Sequence, residues 1–366
     1  MAKAPKVAVV GTNIGCTLHV RALRAAGFEV KALVGRNLEQ TAARARHFGI
    51  PLSLNSLQAA LDSDVDAVVI ATPPATHHAL TMQAIAAGKH VLCEKPFALD
   101  TGHAREMRDA AVAANIVHMV EHEFRWFAHN ALLRRVVRGG QIGSPVHVTA
   151  MFDHTLCAPP VIDVPSWWKS NREGGGWLRN YNAHGIDLLR YMVGEFTAVC
   201  GTVHPGADRG MTSDDSYAFA FVMDNGAQGA MTGSCRAFDV FSSTRVVGSE
   251  ATANVGWTGL SITDANGSRQ PTPPADLIEQ LRGTGPAVTA PTEKLPHIGD
   301  SQYIQTHSTD YGFAEQVGLC SAFAAKIRDR NYKNPAIADF DDGVKHVEVI
   351  EAVERSKAER RWIDLA

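Results

Sequence analysis

His90-Val91-Leu92-Cys93-Glu94-Lys95-Pro96 is a short apolar run that stops at an acid, a base and a proline. Such a run reads as a buried parallel strand. In an open α/β sheet ligands gather where strands end, so Glu94 and Lys95 fall where a ligand would lie. The proline forbids the strand from continuing. A lysine at this place can lose solvation in a closed cleft, which lowers its pKa and makes it a proton donor and acceptor near neutral pH. The same residues would also suit a surface turn with a Glu-Lys pair, and the flanking chain decides between the two.

Upstream, the β-branched run at residues 6–10 leads into Gly11-Thr12-Asn13-Ile14-Gly15-Cys16, then a helix that ends at Ala26 before Gly27. A strand, a tight turn and a helix let backbone N–H groups approach a pyrophosphate at the positive end of the helix. Gly11, Thr12, Asn13, Ile14 and Gly15 are therefore the expected cofactor cradle. The dinucleotide pattern asks for glycine where Asn13 and Cys16 stand; asparagine tolerates left-handed turns, and cysteine is small enough for close packing of helix on strand. A second strand (28–34), a helix (37–48) and a third strand (65–71) follow. Thr72-Pro73-Pro74-Ala75-Thr76-His77 breaks the third strand, and Thr76 is the expected cap of a helix to Ala87. Asp100 caps another helix to about Asn115, and residues 116–120 form a further strand. This alternation calls for a doubly wound parallel sheet with right-handed crossovers, an N-terminal Rossmann domain over residues 1–122.

From residue 123 to 366 the rhythm changes. Strand-like segments at 145–152, 197–203, 216–223, 227–235, 244–247 and 251–257 predict an α+β domain with an open antiparallel sheet, in which Asp224-Asn225-Gly226 is a hairpin turn. A helix at 184–192 precedes most of them. Residues 270–299 read as a surface loop around a short helix at 275–281. Two amphipathic helices, 312–330 and 341–360, come before a short final strand at 361–364.

With 366 residues, 45% apolar and 20% charged, the chain has the composition of a two-domain soluble protein. A net charge of -3 offers no basic stripe for nucleic acid. No apolar run reaches membrane-spanning length and no leader-like segment opens the chain, which leads us to expect a cytoplasmic protein. Six scattered cysteines indicate neither a disulfide framework nor a zinc site.

Together, the Glu94-Lys95-Pro96 strand end, Ala71-Thr72-Pro73 with His77, and Gly174-Gly175-Gly176-Trp177-Leu178 followed by His184 and Asp187 resemble the glucose-fructose oxidoreductase, inositol dehydrogenase and MocA family over essentially the whole length. The resemblance implies that Lys95 lies beside a nicotinamide, with Thr72, Pro73, His77 and Glu94 also on the cofactor side. It implies that Arg125 lies near the carboxamide, and that His184 positions and deprotonates a substrate hydroxyl. It also implies an open sheet face that packs against another subunit, in a homodimer or homotetramer. Many members carry an aspartate four residues before the histidine, where this chain has Asn180. Asn180 and His184 on one helix face can still hold a hydroxyl, but only the histidine titrates. Without that carboxylate, no anion is expected to hold the Lys95 proton. Trp126, Trp167, Trp168 and Arg172 are expected on the substrate side, because aromatic planes and hydrogen-bonding cations suit a sugar or polyol face.

The second strand ends in Leu33-Val34-Gly35-Arg36-Asn37, and the acid that accepts bonds from ribose hydroxyls is missing from its usual place about 20 residues after the glycine turn. Gly35 would leave room for a 2′-phosphate and Arg36 could pair with it, while Arg44 and Arg46 add positive field; NADP(H) is thus expected over NAD(H). The function expected is hydride transfer between nicotinamide and a secondary alcohol or ketone of a sugar, inositol or related polyol. The alternatives are a redox-neutral lyase or glycoside-cleaving enzyme that oxidises its substrate transiently, and a cofactor-sensing binding protein.

Overall fold

The computed structural model describes residues 3–158, 164–282 and 312–365. The chain divides into two units, one of Met1–Trp126 with Glu279–Val344, the other of Phe127–Ile278 with Lys345–Ala366. The first unit takes in Glu279–Val344, which the expected division at 122/123 groups with the second half. Most of the loop read at 270–299 lies outside the described residues, although its short helix is present as Ala275–Arg282. No described helix is long and apolar enough to cross a membrane.

In the first unit β1 (Lys6–Val10), β2 (Glu29–Val34), β3 (Leu52–Leu54), β4 (Ala67–Ile70), β5 (His90–Cys93) and β6 (His118–Val120) form one sheet in the order β3-β2-β1-β4-β5-β6. Every pairing is parallel. The strand order reverses between β1 and β4, and in such sheets ligands bind beyond the carboxyl ends of the strands at that point. β3 was not foreseen: it is three residues long, half-exposed and at the sheet edge, so it carries no buried apolar run. Asp100 caps its helix as expected, accepting from the His103 amide at 2.8 Å. Thr76 does not cap through its side chain; its hydroxyl donates to Thr72 Oγ1 and the Pro73 carbonyl. The helix Phe313–Arg328 is not the amphipathic element expected, because nearly every residue from Gln316 to Ala325 is buried. A helix apolar all round belongs inside a unit.

The second unit holds β7 (Pro145–Asp153), β8 (Phe196–Pro205), β9 (Asp214–Met223), β10 (Gln228–Ser234), β11 (Phe241–Gly248), β12 (Thr252–Gly256), β13 (Gly259–Asp264), β14 (Gly267–Arg269) and β15 (Ile363–Asp364). Their order is β14-β13-β12-β11-β7-β10-β9-β8-β15. The sheet is mixed rather than antiparallel throughout, since β7 and β10 pair in parallel. Local hairpin signals such as Asp224-Asn225-Gly226, which does join β9 to β10, say nothing of a pairing between strands so far apart in sequence. Tyr217, Phe219, Phe221 and Met223 on β9, with Val148, Ala150 and Phe152 on β7, bury one face. The helix Ala183–Met192 packs there: a Cβ at Gly185 would meet Phe152 Cε2 at 2.8 Å.

The approach to that helix hangs on one carboxyl. Gly176 has φ +114°, and a Cβ there would collide with Asp214 Oδ1. Asp214 Oδ2 accepts from the Leu178 amide at 2.8 Å, which satisfies one orphan N–H at the start of the π-helical turn Trp177–Tyr181. Burial pushes the Asp214 carboxyl up to about 7, against the pull of the Leu178 hydrogen bond. Because its folded value lies above the unfolded one, its contribution to stability is full below about pH 4 and is lost as pH rises to about 7. Asp214→Asn keeps an oxygen for Leu178 and cannot ionise. Urea titrations from pH 4 to 8 should show wild type losing up to about 4 kcal/mol relative to this variant over that window. A constant difference would mean that Asp214 ionises like an exposed aspartate.

Candidate active site

The glycine turn of the first unit is built by close approach of backbones. Gly11 has φ +119°, and a Cβ on it would collide with the Ala71 carbonyl at the end of β4. A Cβ added to Gly15, at the start of the helical segment Gly15–Val20, would stand 3.0 Å from Val9 Cγ1 on β1. Asn13 is not left-handed, contrary to the expected reason for its tolerance. Its carbonyl accepts from the Cys16 and Thr17 amides, and its Oδ1 accepts from the Arg44 guanidinium at 2.9 Å. Arg44 is buried and also donates to Thr12 Oγ1 at 2.7 Å. It braces the turn directly rather than acting as a distant field. Cys16 is buried, as close packing of helix on strand requires.

Gly35 does not leave an open space. Its missing Cβ would fall on the side chains of Thr41 and Thr12, so glycine is there for packing. Arg36 is exposed beside it. His77 is fully buried; its ring nitrogens lie 3.0 Å from the Pro96 carbonyl and 2.9 Å from the Thr72 carbonyl. It ties the loop after β4, with Thr72 and Pro73, to the loop after β5, and burial lowers its pKa. The ring is thus committed to the two loops.

Lys95 follows β5 among carboxyls. Glu94 Oε1 accepts from His19 Nε2 at 2.8 Å, and Glu94 Oε2 accepts from the Lys95 amide at 3.1 Å. Burial opposes ionisation of Glu94, but the His19 hydrogen bond and the nearby charges outweigh it and hold the group below its ordinary value. Glu121, just after β6, is pushed well above the carboxylate range by burial and by the neighbouring Glu94 and Glu123. Burial drives Glu123 up to about 8, although Lys95 pulls it down. Contrary to the expectation that no anion stands near Lys95 once Asn180 takes the aspartate's place, the first unit supplies carboxyls of its own around it.

Arg125 is buried and bonds Asp342 through two nitrogens, at 2.8 and 3.3 Å, and the Ile337 carbonyl at 3.0 Å. Trp126 is buried beside Gly318, whose Cβ would stand 3.0 Å from the indole. Both are thus held within the first unit's own packing.

In the second unit, Asn180 and His184 are both buried, one on the turn Trp177–Tyr181 and the other on the helix Ala183–Met192. The Asn180 amide donates to the Gly176 carbonyl at 3.0 Å. Tyr181 stacks on Trp177 with ring centres 4.4 Å apart and meets His184 edge-on at 6.2 Å. Of the expected substrate-side residues, Trp168 is buried, Trp167 half-buried and Arg172 exposed. The carbonyls of both tryptophans close over Gly175. Sequence reading missed His19, Glu121, Glu123 and Asp214. The first was hidden as one of several polar residues, with Thr17, Arg21 and Arg24, in the helical stretch after the glycine turn. Glu121-His122-Glu123, however, ends a buried strand as Glu94-Lys95 does, and the same rule could have found it.

Two family models match the chain: "Oxidoreductase family, NAD-binding Rossmann fold" over residues 5–122 and "GFO/IDH/MocA C-terminal domain" over residues 130–254. The 1,5-anhydro-D-fructose reductase of Ensifer adhaerens is 35% identical over 52% of this chain and 57% of its own. The levoglucosan dehydrogenase of Pseudarthrobacter phenanthrenivorans is 35% identical over 46% and 44%. The chain thus spans about half the length of these curated relatives. Among solved structures, levoglucosan dehydrogenase in complex with NADH and L-sorbose superposes with a TM-score of 0.81 at 24% identity, covering all of both chains, a likeness of fold. An oxidoreductase domain protein from Kribbella flavida superposes over all of both chains with a TM-score of 0.82 at 25% identity. With a parallel sheet in the order 3-2-1-4-5-6, a mixed nine-stranded sheet and both family models in sequence along it, this chain belongs to the GFO/IDH/MocA oxidoreductase family.

Proposed function

We propose that the protein moves hydride between a nicotinamide dinucleotide and a secondary alcohol or ketone on a sugar-like or cyclic polyol, with Lys95 and His184 handling the proton. The observation that carries this reading is the strand end itself, where Lys95 follows β5 among three buried glutamates and adjoins the ionised one. The residues present fit a dinucleotide: at Gly11 the backbone is stripped of side chain at the switch point, and the turn after it opens a helical segment. Gly11, Thr12, Asn13, Ile14 and Gly15 would hold the pyrophosphate, and the nicotinamide supplies hydride acceptance and donation when bound.

Everything else falls to the chain's own side chains. Lys95 takes the hydroxyl proton in oxidation and returns it in reduction. His184 and Asn180 orient the hydroxyl by hydrogen bonds, and only His184 can share the proton. The sugar-like substrate class rests on the named relatives and on the aromatic residues around the triple glycine. Self-association is supported by the open face of the nine-stranded sheet, where Met151 and Phe241 are exposed.

Lys95→Met should lower kcat by about 10²–10⁴ while cofactor affinity, read by fluorescence titration, stays within a few-fold. A variant retaining half its turnover removes Lys95 from the chemistry. Substrate consumed with no net nicotinamide absorbance change would replace the dehydrogenase reading by the redox-neutral one.

NADP(H) preference is supported by exposed Arg36 and by the lack of an acid among residues 33–37. The closed space at Gly35 moves the whole of that preference onto Arg36. Arg36→Ala should weaken NADP(H) by about 1.5–3 kcal/mol and leave NAD(H) nearly unchanged in binding titrations. Equal losses, or a wild type that prefers NAD(H), would end this part of the proposal.

A further inference from the structure

Three buried carboxyls of the first unit face Lys95, and they differ in their hydrogen-bond donors. Glu94 has two, His19 Nε2 at 2.8 Å and the Lys95 amide at 3.1 Å. Neither oxygen of Glu121 has a hydrogen-bond partner among the described residues; Gln316 lies near enough to offset part of its rise but not in bonding geometry. Glu123 is buried and raised to about 8. Of the three, the one that His19 bonds is held below its ordinary value while burial raises the other two.

The His19 ring is oriented from its other side. It is fully buried on the segment Gly15–Val20, with Gln316 Nε2 donating toward Nδ1 at 3.4 Å and Glu121 Oε2 at 3.9 Å. An amide N–H aimed at Nδ1 makes that atom the acceptor, so the neutral ring carries its proton on Nε2, toward Glu94. The other titratable groups around Glu94 and Lys95 add no second anion: burial lowers His77, and it raises Cys93 and Cys320. Glu315, raised by its own burial, acts on Glu123.

We propose that His19 is a positioning residue for Lys95 that acts through Glu94: by donating to Glu94 Oε1 it stabilises a carboxylate on the residue adjoining Lys95, where it holds the lysine ammonium. Remove the donor and the buried Glu94 carboxylate has lost one of its two hydrogen bonds; it takes up a proton, and Lys95 loses its counter-charge. The electrostatic part does not depend on what Lys95 does in turnover. Its consequence for turnover rests on the proposed role of Lys95.

The test reads Lys95 directly in the full-length, cofactor-free protein. Lysines are reductively methylated with ¹³C-formaldehyde, the Lys95 resonance is assigned by its loss in Lys95→Met, and its titration is followed by NMR. Glu94→Gln should move the Lys95 midpoint down by about 1 pH unit or more, and His19→Leu should move it the same way. His19→Gln, which puts an amide N–H where Nε2 stood, should restore the wild-type midpoint. The double variant His19→Leu with Glu94→Gln should titrate no lower than Glu94→Gln alone, because both act through one charge. Should His19→Leu fold poorly, His19→Met, which likewise lacks an N–H donor, takes its place in every comparison. If His19→Leu titrates like wild type while Glu94→Gln is shifted, or if the two shifts add, the inference is overturned. In steady state, the acid limb of alcohol oxidation should move down in step with the NMR midpoint. A shifted midpoint with an unshifted limb would leave this electrostatic coupling intact and count against Lys95 as the base.

Discussion

A buried negative charge is expensive unless hydrogen-bond donors replace its water, and at the end of β5 Glu94 is the carboxyl whose donors and neighbouring charges outweigh its burial. Glu94 has a ring N–H and a backbone N–H, whereas burial outweighs whatever opposes it at Glu121 and Glu123. That inequality decides where the charge sits. Had the donors been shared out evenly, mutual repulsion would have spread the proton among the carboxyls, and Lys95 would face a diffuse and pH-sensitive field. The helix Phe313–Arg328, which supplies Gln316 to orient His19, therefore takes part in the electrostatics of a strand end that lies more than two hundred residues away in sequence.

The second unit sets its own side chains by a related contact with the opposite electrical outcome. Asp214 also accepts from a backbone amide, yet one donor does not offset its burial, and its proton stays on until about pH 7. The carboxyl serves there as a spacer and acceptor against Gly176, which has to lack a side chain for the contact to exist. From Gly176 the chain winds through Trp177 and Tyr181, stacked on one another, to His184. The triple glycine is thus fixed at each residue: Gly174 is left-handed, Gly175 lies under the Trp167 and Trp168 carbonyls, and Gly176 lies against Asp214.

The first sheet was legible because its strands are buried on both faces and read as continuous apolar runs, and the edge strand β3 escaped because it is not. In the second sheet alternation located most of the strands. It could not reveal the parallel pairing of β7 with β10, which depends on how distant strands meet. Glu94 and Lys95 were legible from position alone. What surrounds them was not, because His19, Glu121 and Gln316 come from three separate stretches and each is an ordinary residue where it stands. The reasons offered for Asn13 and Gly35, backbone freedom for the one and open space for the other, failed for a common cause: both positions are decided by side-chain contacts with Arg44, Thr12 and Thr41.

Arg44 shows how such a departure from a fingerprint becomes self-consistent. Its guanidinium is buried behind the glycine turn, and two of its hydrogen bonds end on Thr12 Oγ1 and Asn13 Oδ1. Were residue 13 the glycine of the usual pattern, one of those donors would have to find another acceptor in a place closed to water, at a cost of about 1–3 kcal/mol. Asn13 and Arg44 are therefore best understood as a pair, with Thr12 as third member through its contact at Gly35. The turn they hold has its helical segment behind it and a fixed cation beneath it, so its positive field no longer depends on backbone dipoles alone.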